Sequence, residues 1–398
     1  MLHLIEDDAD TPAHYGAQAA IFAAEKAASF MHLPVLCDET RFPDACQHVT
    51  VDGTLVTSGL VWAERLSGRA VRAASSVAEI LILAATDDVA VPIHPGVANE
   101  LAAVAESSNI AVRRYRVIRE REVSSVVCDD GLAVTRARQD AFGRWSASVR
   151  EARTDPVAVG EIRIALIGEE VGQRDVYPAT LAALADAADA HALSLRVRFV
   201  SPHDLNDASA PEALGATDGI VLPGGADMRR VPGQIAAAKY AWLSSVPAVG
   251  LCLGMQSMTT ALARLALRTD DIDLAETASG SSLPSFVPIR SDHEGLLFHR
   301  LGLHPIIVAS ATQLGEILGD EPQIRCNHRY KLNPALVTPL LAAGVQVAAR
   351  DASGEIADAI EARSHPFFIG MQGHPELSSA SGAPHPLLSA FVRAAQRG

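Results

Sequence analysis

From Glu161 to the C-terminus, short β-branched runs alternate with stretches that repeat apolar residues at helical spacing. Parallel strands need a crossover between them, usually a helix, so this alternation restricts the region to β-α-β units on a mostly parallel sheet. The spacing predicts strands at Ile162–Ile167, Leu195–Val200, Gly219–Leu222 and Ala248–Leu251, with helices over Ala179–Ala192 and Pro232–Ser244. Beyond Arg268 the pattern weakens through SGSSLPSFVPIRSDHEG. Strands resume near Val345–Arg350, Glu355–Glu361 and Phe367–Gln372, and a helix over Pro386–Gln396 closes the chain.

At 398 residues the chain is longer than one core usually supports, which is about 250–300 residues, so two domains are expected. The first stretch also reads as α/β, with helices at Ala17–Phe30, Ser76–Ala85 and Gly96–Ser107 and an arginine-rich strand at Ala111–Ile118. The segment Ser146–Val159 is charged and carries Pro156, which places the boundary near Pro156–Gly160 and the domains at 1–157 and 158–398. With 48% hydrophobic and 20% charged residues both domains are expected to be globular. A net charge of −14 argues against nucleic acid and anionic membrane as partners. The start, MLHLIEDDADTPAHYG, is acidic where a signal peptide is basic, and no apolar run approaches the roughly 18 residues of a membrane span, so a cytoplasmic location is expected. Five cysteines, Cys37, Cys46, Cys128, Cys252 and Cys326, are widely spaced with no CxxC pair, so neither a disulfide framework nor a zinc site is expected. No other metal cluster emerges from the sequence, and no cofactor is expected.

Three motifs carry chemistry. Ala248–Gln256 reads AVGLCLGMQ, an apolar strand running through G-x-C-x-G into a helical pattern. Glycines flank the cysteine because so tight a strand-to-helix turn leaves no room for side chains, and the helix start favours a thiolate. Taken alone, Cys252 also fits a buried apolar cysteine at a strand end. Ile369–Glu376 reads IGMQGHPE, a strand delivering His374 with Glu376 two residues on, which is the acid–base pair a thiol nucleophile needs. Val221–Gly225 reads VLPGG and leaves backbone N–H groups open at a strand end; with Gly225 and Leu253 as donors it suits an oxyanion hole.

PGG, then GLCLGMQ, then MQGHPE, in this order, resembles the class I glutamine amidotransferases, and the details are most similar to the glutaminase domain of CTP synthase. The resemblance runs from about Glu161 to the C-terminus and includes AAKYA, Asn327-His328-Arg329-Tyr330, HPFFIGMQGHPE and HPLLSAF. It implies a flavodoxin-like, mostly parallel sheet with flanking helices. It also implies hydrolysis of L-glutamine by Cys252, His374 and Glu376, with Gly225 and the backbone of Leu253, Gly254, Met255 and Gln256 contacting the substrate. Glu276 falls where the family grips the substrate amino group, and Arg329 falls near its carboxylate, a matched pair of charges for a zwitterion. Alone, Glu276 reads as a solvated loop acid. This chain departs from the family in three places. Gly373 replaces the aromatic before the histidine, which suggests looser packing there. Ala226-Asp227-Met228-Arg229-Arg230 replaces a glycine-rich continuation, and the basic cluster thins to Arg325-Cys326-Asn327-His328-Arg329-Tyr330. His365 and His385, each before proline, read as structural turns.

CTP synthases carry a lysine-containing phosphate loop ahead of the glutaminase. Here lysine occurs only at Lys26, Lys239 and Lys331, and Lys26 lies in glycine-free AAIFAAEKAASF, so no such loop is expected. Residues 1–157 are left as a reduced synthetase, an acceptor-binding domain or a docking module. The run Val112–Arg119 would bind phosphate or an acidic partner, or serve as a solvated strand face. The expected reaction releases ammonia for a separate synthetase or other amination partner, with a homo-oligomer possible. A glutamine-sensing scaffold and a stand-alone γ-glutamyl hydrolase are the alternatives.

Overall fold

In the first unit two short apolar runs, Leu2–Glu6 (β1) and Val89–Ile93 (β3), are buried on both faces, as the inner strands of a parallel sheet must be. The computed structural model describes every residue except 36, 37, 46, 148–157, 278–280, 292–294, 320, 321 and 398. Cys37, Cys46 and Pro156, singled out above, lie outside the described residues. Contacts divide the chain into two compact units, Met1–Asp155 with Val171–Ala182, and Pro156–Glu170 with Ala183–Gly398.

The first unit carries a seven-stranded sheet. Helix α1 (Ala17–Lys26) stops at Ala27, whose left-handed φ of 53° ends it, and the chain turns into β2 (Ser29–Phe30). The single helix expected through Phe30 is therefore broken. Helix α2 (Val77–Ala84) starts at a reciprocal cap, the Ser76 hydroxyl accepting from Glu79 N–H while the Glu79 carboxylate accepts from Ser76 N–H. Helix α3 (Pro95–Ser107) follows β3, and β4 (Val112–Glu120), β5 (Val123–Val127), β6 (Ala133–Gln139) and β7 (Trp145–Ala147) form an antiparallel meander. The order is β2-β3-β1-β4-β5-β6-β7, with the first four strands parallel. Two arginines of β4 are engaged by acids of the same unit: Arg114 pairs with Glu6 at 2.6 Å, and Arg119 reaches the fully buried Asp7 and exposed Asp8.

The second unit is built on a nine-stranded sheet. Its elements are β8 (Gly160–Ile167), α4 (Ala179–Ala190) from Ala183 onward, β9 (Leu193–Val200), β10 (Gly219–Leu222), α5 (Val231–Ser244), β11 (Ala248–Leu251) and α6 (Leu253–Leu267). After these come β12 (Arg300–Val308), β13 (Gln323–His328), β14 (Gln346–Asp351), β15 (Ala357–Glu361), β16 (Phe368–Met371) and α7 (Pro386–Gln396). The order is β9-β8-β10-β11-β16-β15-β14-β12-β13. Its parallel half, β9 to β16, has the 2-1-3-4-5 order of flavodoxin-like sheets, whose ligands bind beyond the carboxyl ends of the strands. The other half is antiparallel, so the sheet is mixed rather than mostly parallel. The hairpin β12–β13 falls where the sequence pattern had weakened. A core of Ile220, Leu222, Ile235, Met255, Met258, Leu262, Phe368 and neighbours fills the space between sheet and helices.

Candidate active site

The site begins with the turn from β11 into α6. Cys252 takes φ 48° and ψ −107°, a strained conformation for a residue with a side chain, and caps α6 at its N-terminus. The positions two residues to either side leave no room for side chains. A Cβ on Gly250 would stand 2.3 Å from Met258 Sδ, and one on Gly254 would stand 2.0 Å from Leu222 O. The glycines therefore let helix, elbow and β10 close upon one another.

Beside β11 runs β16, in register from Ala248 with Phe368 to Leu251 with Met371, and Cys252 N–H donates to Met371 O at 2.8 Å. That pairing brings the ends of both strands together, and three residues past Met371 stands His374. His374 Nδ1 lies 2.8 Å from Glu376 Oε1, with both side chains fully buried. His374 N–H donates to Arg325 O at 2.8 Å, tying the histidine to β13. Burial depresses an imidazolium, but here the Glu376 and Cys252 charges and hydrogen bonds outweigh it, and His374 is pushed up to about 10.

The PGG loop closes the third side. A Cβ on Gly224 would lie 3.2 Å from His374 Cε1 and 3.4 Å from Cys252 Cβ, so it is Gly224 that lets the loop approach both. Gly225, the donor expected from the sequence, is the next residue of the same loop, at φ 159°. Gln234 Nε2 of α5 holds the loop through Pro223 O at 3.0 Å, and Ser257 of α6 donates to Gln234 Oε1 at 2.8 Å. Leu253, Gly254, Met255 and Gln256 form the first turn of α6; Gln256 N–H donates to Cys252 O at 3.2 Å, while the three N–H groups before it precede the first helical bond. Met255 packs inward against Gly370, and Gln256 is buried with its Oε1 unpaired among the described residues.

Glu276 and Arg329, far apart in sequence, come within electrostatic reach of each other, both exposed. Surrounding protein raises the Glu276 carboxyl, with the Arg329 charge opposing that rise. Asn327 and His299 add a contact no motif announced: Asn327 O lies 3.7 Å from Cys252 Sγ, and its Oδ1 lies 2.8 Å from His299 Nε2. Near Gly373 the packing is tight, not loose. A Cβ there would meet Ile324 Cγ1 at 2.2 Å and Arg325 O at 2.6 Å, so Ile324 has taken the space of the expected aromatic.

His365 and His385 are used structurally: His365 Nε2 lies 3.1 Å from Ala241 O with its ring stacked on Trp242, and His385 caps α7. In a second cluster, Cys326, His328 and Asp358 bring potential metal-ligating atoms within 4.8 Å of one another, all buried. A cation already sits there. The Arg300 guanidinium grips both Asp358 oxygens, one at 3.1 Å, and lies 3.4 Å from His328 Nε2. Burial pushes the Cys326 thiol up to about 12, so it is a protonated, poor ligand.

The strand order, the elbow and the His–Glu pair define a class, and the chain belongs to it. The family described as "Glutamine amidotransferase class-I" matches residues 183–394. Within that family the chain is CTP synthase-like. It is 35% identical to a CTP synthase of Herpetosiphon aurantiacus over 238 residues, covering 58% of this chain and 44% of that protein. A Cyanothece CTP synthase is 33% identical over 321 residues, covering 77% of this chain and 57% of its own length. The chain thus spans about half the length of the curated relatives it matches. The Cyanothece alignment is longer than the second unit, so it reaches into the first. Among solved structures, the Trypanosoma brucei CTPS glutaminase domain with bound acivicin superposes with a TM-score of 0.55 at 27% identity, over 59% of this chain and 94% of that one. No helix among the described residues is long and apolar enough to cross a membrane.

Proposed function

We propose that residues 158–398 hydrolyse L-glutamine to glutamate and ammonia, with Cys252 as nucleophile, His374 as proton carrier and Glu376 as its orienting carboxylate. The observation that carries this is the fully buried His374–Glu376 pair beside a cysteine held in a strained elbow. An imidazole pushed up to about 10 is charged at neutral pH and serves as counter-ion to the attacking sulfur.

Sγ adds to the side-chain carbonyl carbon of glutamine, and the developing oxyanion is met by the N–H groups of Gly225 and Leu253, each typically worth ~3–4 kcal/mol. His374 gives its proton to the amide nitrogen, the C–N bond breaks, and ammonia departs from a γ-glutamyl thioester. Water then attacks while His374 takes back a proton, and the C–S bond breaks to release glutamate. Glu276 holds the substrate ammonium and Arg329 its carboxylate, while Gly225 and the first turn of α6, Leu253 to Gln256, line the side chain.

Ammonia then passes to an amination partner outside this chain, in the cytoplasm. With Lys26 alone before Lys239, and that in a helix without glycine, the first unit has no lysine-bearing phosphate loop and does not make CTP unaided. The alignment reaching into that unit favours a reduced synthetase-like domain over an unrelated addition.

6-Diazo-5-oxo-norleucine is expected to add once, at Cys252, by intact mass and peptide mapping. A protein that stays unlabelled while a control amidotransferase reacts refutes the proposal. Labelling of wild type with none in Cys252→Ala supports it.

A further inference from the structure

The residue two before His374 is used by nothing described so far. We infer that Gln372 is a further catalytic residue, donating from Nε2 to the Cys252 sulfur and offering Oε1 to the amide nitrogen that leaves. The inference rests on the glutaminase reading above.

Gln372 is fully buried, just past the end of β16. Its backbone N–H donates to Asp358 O at 2.8 Å, which fixes its Cα, and the preceding Met371 pairs in register with the residue before the nucleophile. Nε2 then lies 3.9 Å from Cys252 Sγ, within the longer reach of a hydrogen bond to sulfur. The opposite amide assignment would set an oxygen against a sulfur that turns anionic, so the nitrogen belongs there.

Oε1 has no hydrogen-bond partner among the described residues. Gln256 Oε1, on the first turn after the nucleophile, is in the same condition. A buried polar atom without a partner is costly and calls for an explanation, and a substrate that completes the hydrogen bond supplies one. The carboxamide is rigid, so Oε1 stays within a few bond lengths of any group joined to the sulfur. When Sγ adds to the glutamine amide, the –NH2 has two N–H bonds to donate. Oε1 accepts one while His374 gives its proton to the nitrogen, and ammonia leaves with three hydrogens as the C–N bond breaks.

Gln372→Leu removes donor and acceptor at similar volume, whereas Gln372→Glu keeps an acceptor and loses the donor. Both are assayed as the full chain for kcat and KM with glutamine, for thermal midpoint, and for the pH profile of Cys252 labelling by iodoacetamide. Gln372→Leu is expected to lower kcat about 10–100-fold with KM within about threefold, and to move the labelling midpoint up by about one pH unit. Gln372→Glu is expected to move that midpoint further up, since a carboxylate beside the sulfur opposes its charge. Labelling profiles of both variants that overlay wild type overturn the inference, whatever happens to kcat. Iodoacetamide needs no glutamine, so a wild type that labels but never hydrolyses glutamine refutes the glutaminase reading alone, and the shift still judges the donor.

Discussion

His374 and His328 stand in the same unit, each with a carboxylate and a cysteine nearby and each enclosed by protein. Their charge states are opposite. His374 faces Glu376 directly and is pushed up to about 10, whereas burial, reinforced by the Arg300 charge, drives His328 down to about 3. In the second cluster the carboxylate, Asp358, is taken by Arg300, so His328 has no anion to hold a proton for. His328 instead donates from Nδ1 to Tyr330 O at 3.0 Å and turns Nε2 toward the guanidinium. Whether the histidine of a Cys–His–carboxylate set holds a proton thus depends on whether a permanent cation has claimed the carboxylate.

Exchanging the two imidazoles for neutral amides breaks the comparison most sharply. His374→Gln is expected to cut glutamine turnover by about 10³-fold or more, because both proton transfers are lost. His328→Gln should leave turnover within about tenfold, since it carries no proton in the reaction. A steady-state assay of released glutamate decides this, and equal losses in the two variants would mean that the clusters act as one.

The structural cluster is tested through its cation. Arg300→Met leaves Asp358 buried without its partner and is expected to cost about 3–5 kcal/mol in denaturant unfolding. Arg300→Met with Asp358→Leu should recover most of that, because removing both charges spares the desolvation of either. A single variant that loses less than about 1 kcal/mol would show Asp358 already neutral in the fold.

Only part of this was legible in the sequence. G-x-C-x-G, PGG and HPE announce themselves because tight turns at strand ends demand small residues, and each motif occupies a few consecutive positions. The hairpin β12–β13 was not read. Gly302 and Pro305 interrupt its alternation, and its pairing of Arg300 with His328 spans a long loop. The Arg300–Asp358 bond joins residues 58 apart, a separation no local pattern encodes. Gln372 lay inside a quoted motif, yet its contact with the sulfur depends on the register of β11 against β16. The tight fit at Gly373 was missed because the filling side chain, Ile324, comes from that unread hairpin.

The two histidines also set opposite limbs of the pH–stability curve. His374 is raised above its ordinary 6.5, so its contribution is complete below that value and is lost as pH climbs through about 10. His328 is depressed, so its contribution is present above 6.5 and is lost as pH falls toward about 3. Guanidinium unfolding from pH 4 to pH 10 should therefore show His374→Gln flattening the alkaline limb and His328→Gln the acid limb. Flattening of the same limb by both would remove the contrast between the clusters.

The smallest expected effect lies where the two regions touch. Gly373, one residue before His374, packs on Ile324 of β13, the strand that also ends in His328. Gly373→Ala drives a methyl into Ile324 Cγ1 and Arg325 O, and overpacking of this kind typically costs about 1–3 kcal/mol. Arg325 O is also the acceptor for His374 N–H, so the strain falls on the loop bearing His374 as well as the core. Ile324→Val in the Gly373→Ala background clears part of the clash and should return some stability and turnover together. If stability returns while turnover stays low, the site depends on the position of Arg325 O rather than on packing, and the loop bearing His374 is held by its backbone bond to β13.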